Sequence, residues 1–229
     1  VIIEARGVDK VYETRGVKTR ALSGVDLDVD EGEFSALAGP SGSGKTTLLN
    51  LIGALDHPTA GRILLDGEDL GTLTAREVSE RRLHKLGFVF QAYNLIPVFS
   101  ARENVEFVME LQGVDARERR ERALALLAEV GLEGLGDKRP LEMSGGQQQR
   151  VAVARAIASH PRLVLADEPT ANLDSHTADR LIELMLELNR QKGITFLFST
   201  HDPQVMQAAR RVVRLRDGQV VGDEKKSAA

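Results

Sequence analysis

The chain has 229 residues, a formal net charge of −4, 42% hydrophobic and 28% charged residues, values that suit one α/β core and exclude a disordered or low-complexity chain. The mild acidity supplies no basic field for binding nucleic acid, so no nucleic-acid partner is expected. With no cysteine, disulfides, thiolate metal sites and thiol nucleophiles are excluded; with no signal segment and no run near the roughly twenty apolar residues of a spanning helix, a cytoplasmic chain is expected.

In chain order, residues 1–5 and 22–29 read as edge strands, the second alternating Leu22, Val25, Leu27 and Val29 with polar neighbours, and Tyr12 falls in a polar loop running through Arg20. Residues 34–38 form a short apolar strand that runs into Gly39-Pro40-Ser41-Gly42-Ser43-Gly44-Lys45-Thr46, a match to the phosphate-loop pattern G-x-x-x-x-G-K-[ST], and a helix over 47–55 leaves it. Glycines there let successive N–H groups turn inward and phosphate oxygens approach closely. The helix start adds free amides and a partial positive charge. Lys45 can reach the terminal phosphates, and the Thr46 hydroxyl is a hard oxygen ligand for Mg²⁺.

Residues 62–65 precede Asp66-Gly67, a hairpin turn pair, so an antiparallel return is expected. Thr74 and Glu77 have capping-box spacing for a helix to Lys85, and 88–90 is a buried strand ended by Gln91. From Ser100, whose box partner is Glu103, to Val130 the pattern is helical only, with Ala123, Leu124, Leu127 and Val130 on one face; the run 117–122 reads as a solvated face with i,i+4 pairs. A helix follows the stretch 141–149 and continues to about Ser159. Residues 163–166 and 194–199 are all-apolar strands of the buried parallel kind, separated by a helix over 175–191 whose inner face is Ala178, Leu181, Ile182, Met185 and Leu188. A closing hairpin occupies 211–221, and 223–229 reads as a frayed tail.

Two features refine the phosphate loop. The strand at 163–166 delivers Asp167 and Glu168 at its C-terminal end, where open α/β sheets bind ligands; this is a Walker B arrangement, with Asp167 toward Mg²⁺ and Glu168 as general base for an attacking water. Ser144-Gly145-Gly146-Gln147, opening a helix, is a second anion-binding device.

With Met143-Ser144-Gly145-Gly146-Gln147 beside the phosphate loop and Walker B, nearly the whole chain resembles the nucleotide-binding domain of ABC transporters. The resemblance implies an α/β P-loop core with a mostly parallel sheet, an antiparallel β subdomain and an inserted helical subdomain. These would form one domain over 1–229, with core and β lobe at about 1–95 and 160–229 and helices at about 98–158. It implies ATP and Mg²⁺ as ligands, Tyr12 stacking on adenine, and residues 39–47, including Thr47, cradling phosphate. It places Gln91 at Mg²⁺ or the attacking water and His201 at the γ-phosphate. Asp174 closes the D-loop Ala171-Asn172-Leu173-Asp174, and Ser144 to Gln147 would complete the site of a second, head-to-tail copy. Met143 stands where leucine is usual and Asn172 where alanine is frequent. His57, His84, His160 and His176 match no motif and are expected at the surface. The loop 91–99, with Pro97, would touch integral membrane permease subunits, placing the chain on the inner face of the membrane. Residues 91–97 and 167–174 most resemble the group serving lipoprotein release, macrolide-type efflux and cell division, hence export or release. A soluble non-transport ABC ATPase and a regulator of a cell-envelope complex are the alternatives.

Overall fold

Two sheets divide the work between holding nucleotide and bracing the holder. The structure is a computed structural model describing residues 1–226. In chain order it contains β1 (Ile3–Thr14), β2 (Val17–Val29), β3 (Phe34–Ala38), α1 (Lys45–Ile52), β4 (Ala60–Leu65), β5 (Glu68–Asp69), α2 (Ala75–Lys85) and β6 (Leu86–Phe90). Then come α3 (Ala101–Leu111), α4 (Ala116–Glu129), α5 (Gly145–Ile157), β7 (Leu163–Asp167), α6 (Ser175–Lys192), β8 (Thr195–Thr200), α7 (Pro203–Ala208), β9 (Arg211–Arg216) and β10 (Gln219–Lys225).

The six-stranded sheet has the order β10-β9-β3-β8-β7-β6, parallel from β9 to β6 and antiparallel only at the β9–β10 edge. Its strands are apolar on both faces because both are covered. Phe34, Ala36, Val164, Ala166, Phe196 and Phe198 pack with α5 and α6, whereas Leu37, Leu163, Leu165 and Leu197 pack with α1 and the smaller sheet. That antiparallel sheet has the order β2-β1-β4-β5.

Three expectations are corrected here. Residues 6–20 are not a loop but the outer half of the β1–β2 hairpin, whose register shifts three times between Ala5 and Val11. Beyond those bulges both strands are exposed on both faces, so no alternation survives for a pattern to detect. β1 is an interior strand, paired with β4 as well as β2. Asp223 to Lys225 extend β10 against Val213 to Arg211; residues 227–229 of the expected tail lie outside the described residues. The short α7, capped by Asp202 with Pro203 at its first position, was not anticipated.

Both predicted capping boxes form, at Thr74–Glu77 and Ser100–Glu103. α3, α4 and α5 share a core of Val105, Met109, Ala123, Leu127, Val130, Val151 and Ala154, whereas Leu124 is turned outward. The pairs Arg117–Glu121 and Glu118–Arg122 form, but Arg122 also donates to the Ala158 carbonyl, so that face is not wholly solvated. The five predicted apolar residues of α6 are all buried, and His57, His84, His160 and His176 are exposed.

Candidate nucleotide site

The phosphate loop turns because Gly42 (φ 78°) and Gly44 (φ 101°) adopt left-handed conformations that glycine reaches without steric cost. Close packing adds a second demand for glycine: a Cβ on Gly39 would lie 2.2 Å from the Leu215 carbonyl oxygen of β9, and one on Gly44 2.7 Å from the Ala21 carbonyl oxygen of β2. The smaller sheet and the closing hairpin thus press the loop into shape from behind. Gly218, in the β9–β10 turn, donates its N–H to Ser43 O at 3.1 Å.

The buried Lys45 folds across the loop, its Nζ donating to Gly39 O at 2.8 Å and Pro40 O at 3.1 Å. These carbonyls hold the ammonium beside the cavity, ready to exchange a neutral acceptor for an anionic one. Ser43 Oγ is buried without a partner, as expected of a cradle whose ligand supplies the acceptor. Thr46 Oγ1 donates to Asp167 Oδ1 at 3.0 Å, which sets two hard oxygen donors side by side as a Mg²⁺ site needs. Among the described residues no cluster of three His, Cys, Asp or Glu forms. The donors fit an ion that takes most of its shell from phosphate and water.

Parallel register brings the remaining groups in. Phe90 pairs with Asp167 and Asp167 with Ser199, so the residues just past the three strand ends, Gln91, Glu168 and His201, collect at one edge opposite the phosphate loop. They border a cavity of about 520 Å³ lined by Pro40, Ser41, Gly42, Gly44, Lys45, Thr46, Thr47, Gln91, Glu168 and His201, with Ala21 and Ala171. Glu168 has a positive φ of 46°, and its Oε1 lies 2.8 Å from His201 Nδ1. The Glu168 side chain is 15% exposed and that of His201 69%, so the carboxylate is sheltered and the imidazole exposed.

Other predicted site residues stand apart from this cavity. The Tyr12 hydroxyl donates to Asp56 Oδ2 at 3.0 Å, and the Lys10 ammonium sits 4.8 Å from its ring centroid; burial and then the Asp56 carboxylate push the phenol up. Ser144 caps α5, its Oγ accepting from Gln147 N at 3.3 Å while Gln147 Oε1 accepts from Ser144 N at 3.0 Å. Gly145 and Gly146 sit against neighbouring side chains: a Cβ would fall 2.7 Å from the Tyr93 hydroxyl or 2.4 Å from Thr177 Cγ2, and those side chains would have to shift. Asp174 caps α6, and hydrogen bonds from the Thr177 hydroxyl and then its N–H hold the carboxyl below its ordinary value. Sequence reasoning missed Ala21 and gave Ala171, the first residue of the D-loop, no place in the cavity; neither carries a chemical signal. It also missed Gln149, fully buried on α5, which donates to Pro169 O at 2.8 Å just past Glu168.

Comparison with known proteins identifies the family and the fold. The ABC transporter family profile matches residues 22–171. The chain is 51% identical to the lipoprotein-releasing system ATP-binding protein LolD of Anaeromyxobacter dehalogenans, over 96% of this chain and 93% of that protein. It is 47% identical to the macrolide export ATP-binding/permease protein MacB of Syntrophobacter fumaroxidans, over 95% of this chain and 31% of that longer protein. A solved dimeric ATP-binding cassette in a post-hydrolysis state, bound to ADP and Pi, superposes with a TM-score of 0.92 at 42% identity, over 99% of this chain and 100% of that one. With the profile match over residues 22–171 and 51% identity to a relative along nearly the whole chain, this chain belongs to the ABC transporter family.

Proposed function

We propose that this chain is the ATP-binding and hydrolysing subunit of an ABC transporter, working as a head-to-tail homodimer that drives membrane permease subunits. The observation that carries the reading is the split between the two anion-binding loops. The phosphate loop lines the cavity, while Ser144 to Gln147 caps a helix outside it. A second copy, related by a two-fold axis, brings its own Ser144 to Gln147 over this cavity and receives the same in return.

In that arrangement the loop amides, Lys45 and the α1 N-terminus bind the phosphates, and Thr46, Asp167 and Gln91 would hold Mg²⁺, which would supply charge neutralisation at the phosphate oxygens. Glu168 takes the proton of the attacking water, while His201, already hydrogen-bonded to it, orients the carboxylate and faces the terminal phosphate. Tyr12 and Thr47 flank the base and phosphate ends, and Asp174 meets the partner across the interface. ATP contacts favour closure of the dimer, and loss of the γ-phosphate removes them.

The loop 91–99, which begins on the cavity wall and exposes Val98, is the permease contact. It makes the chain peripheral on the inner face of the membrane, in an export or release system like those named for LolD and MacB. The core with its β lobe over about 1–95 and 160–229 and the helices over about 98–158 act as the two lobes of this engine. Among the described residues no helix is long and apolar enough to cross a membrane.

The test is Glu168→Gln. It should bind ATP with near-normal affinity, hydrolyse at least about a hundredfold more slowly, and accumulate as a dimer in size-exclusion chromatography with light scattering. A variant that stays monomeric at saturating ATP would refute the shared site.

A further inference from the structure

The segment after β6 contains two consecutive non-glycine residues at positive φ, Tyr93 (60°) and Asn94 (49°). Such backbone persists only where its surroundings impose it. One side chain grips both residues: Arg155 Nη1 donates to Asn94 O at 2.6 Å and Nη2 to Tyr93 O at 2.9 Å. This two-pronged contact suits the planar guanidinium fork, which a lysine ammonium cannot reproduce. Burial lowers the guanidinium below its ordinary value, with no acidic neighbour to offset it, so this cation is spent on neutral carbonyls.

The rest of the segment is held just as fully. Gln91 O accepts from Asn172 Nδ2 at 2.9 Å, Phe90 O from Tyr93 N at 3.1 Å and, weakly, from Gln149 Nε2 at 3.5 Å, and Ala92 O from Asn94 N at 2.6 Å. Every carbonyl from Phe90 to Asn94 is thus engaged. Gln149 and Arg155 both ride on α5, the helix whose N-terminus is Ser144. Gln91, at the head of the segment, stands on the wall of the nucleotide cavity.

We propose that Arg155 is a positioning residue for ATP hydrolysis: by clamping the Tyr93 and Asn94 carbonyls it fixes where Gln91 stands in the nucleotide cavity. The inference rests on the reading of Gln91 as a contact to Mg²⁺ or the attacking water.

The test is a double-mutant cycle on the purified full chain with Mg²⁺-ATP. Arg155→Met keeps the apolar stem and removes both donors; it should leave the ATP Kd within about twofold and lower kcat on the order of tenfold, the scale of a small misplacement of a reacting group. Arg155→Lys, which keeps the charge but not the fork, should be nearly as slow, and it carries the same cycle if the methionine variant does not fold. The variant pairing Gln91→Ala with Arg155→Met should be no slower than Gln91→Ala alone, because both remove one function. Multiplied losses, or a normal kcat for both Arg155 variants beside a slow Gln91→Ala, would overturn the role of Arg155 while leaving Gln91 in place. Full activity in Gln91→Ala would overturn the reading of Gln91 and this inference with it.

Discussion

The Lys45 ammonium is buried against two carbonyls of its own loop, so in the proposed site nucleotide would replace a neutral hydrogen-bond set with a charge-assisted one. Lys45→Ala should weaken ATP binding by about ten- to a hundredfold, on the basis of 1.5–3 kcal/mol for a hydrogen bond to a charged group. Titration with a fluorescent ATP analogue measures this; unchanged affinity would remove Lys45 from the site. Glu168 is a second residue whose role depends on backbone: at φ 46° it leaves the line of β7, and its carboxylate reaches His201 from there. The sequence marks Glu168 by its neighbour Asp167, but its left-handed backbone, with its N–H donating to Ser199 O on β8 at 2.8 Å, is visible only in the fold.

Among the elements, the closing hairpin contributes most beyond its expected role. Arg211, only 8% exposed, donates to Asp223 on β10, Glu33 before β3 and the Asp28 carbonyl of β2. One side chain therefore joins both sheets. The Arg211 hydrogen bonds come first among the causes that hold the Asp223 carboxyl below its ordinary value. A depressed folded-state value contributes stability above the unfolded value, about 3.9 for aspartate, and loses it as pH falls through the folded value. Acidification from pH 5 to pH 3 should therefore lower the thermal midpoint less in Asp223→Asn than in the unaltered chain, by circular dichroism. Arg211→Met should destabilise on the order of 3 kcal/mol, the low end for breaking a buried pair because Asp223 is partly exposed. Denaturant unfolding measures this, and a loss under about 1 kcal/mol would class the cluster with ordinary surface pairs. The same hairpin also touches the phosphate loop through Gly218 and Leu215, so its stability and the shape of the site are linked.

Across the whole molecule, the division of the site between two copies makes a prediction that no single chain can satisfy. Lys45→Ala and Ser144→Arg should each be inactive alone. Mixed, they should recover hydrolysis, since one heterodimer site joins the intact phosphate loop of one copy with the intact Ser144 loop of the other. Hydrolysis by Ser144→Arg alone would mean that one chain holds a complete site.

The sequence by itself determined what is local. The phosphate loop, the capping boxes at Thr74 and Ser100, the apolar strands at 163–166 and 194–199 and the inner face of α6 were all legible, because glycine conformation, cap hydrogen bonds and burial on both faces are written in consecutive residues. Recognition of Gln91, His201 and Ser144 as a set came from family resemblance, since a lone glutamine, histidine or serine carries no such message. Only the tertiary structure decided that residues 6–20 pair as a bulged hairpin, that β1 lies inside its sheet and that Asp223 to Lys225 continue β10. Strand segments exposed on both faces have no periodicity of their own, even where, as at Thr14 and Val17, the partner is near in sequence, and the β1–β4 pairing joins residues some sixty positions apart. The same holds for the site: parallel register aligns the ends of β6, β7 and β8, and α5 reaches back to hold Phe90, Tyr93 and Asn94. No spacing along the chain encodes the contact between Arg155 and a loop sixty-one residues earlier. Folding creates it by laying α5 against β6.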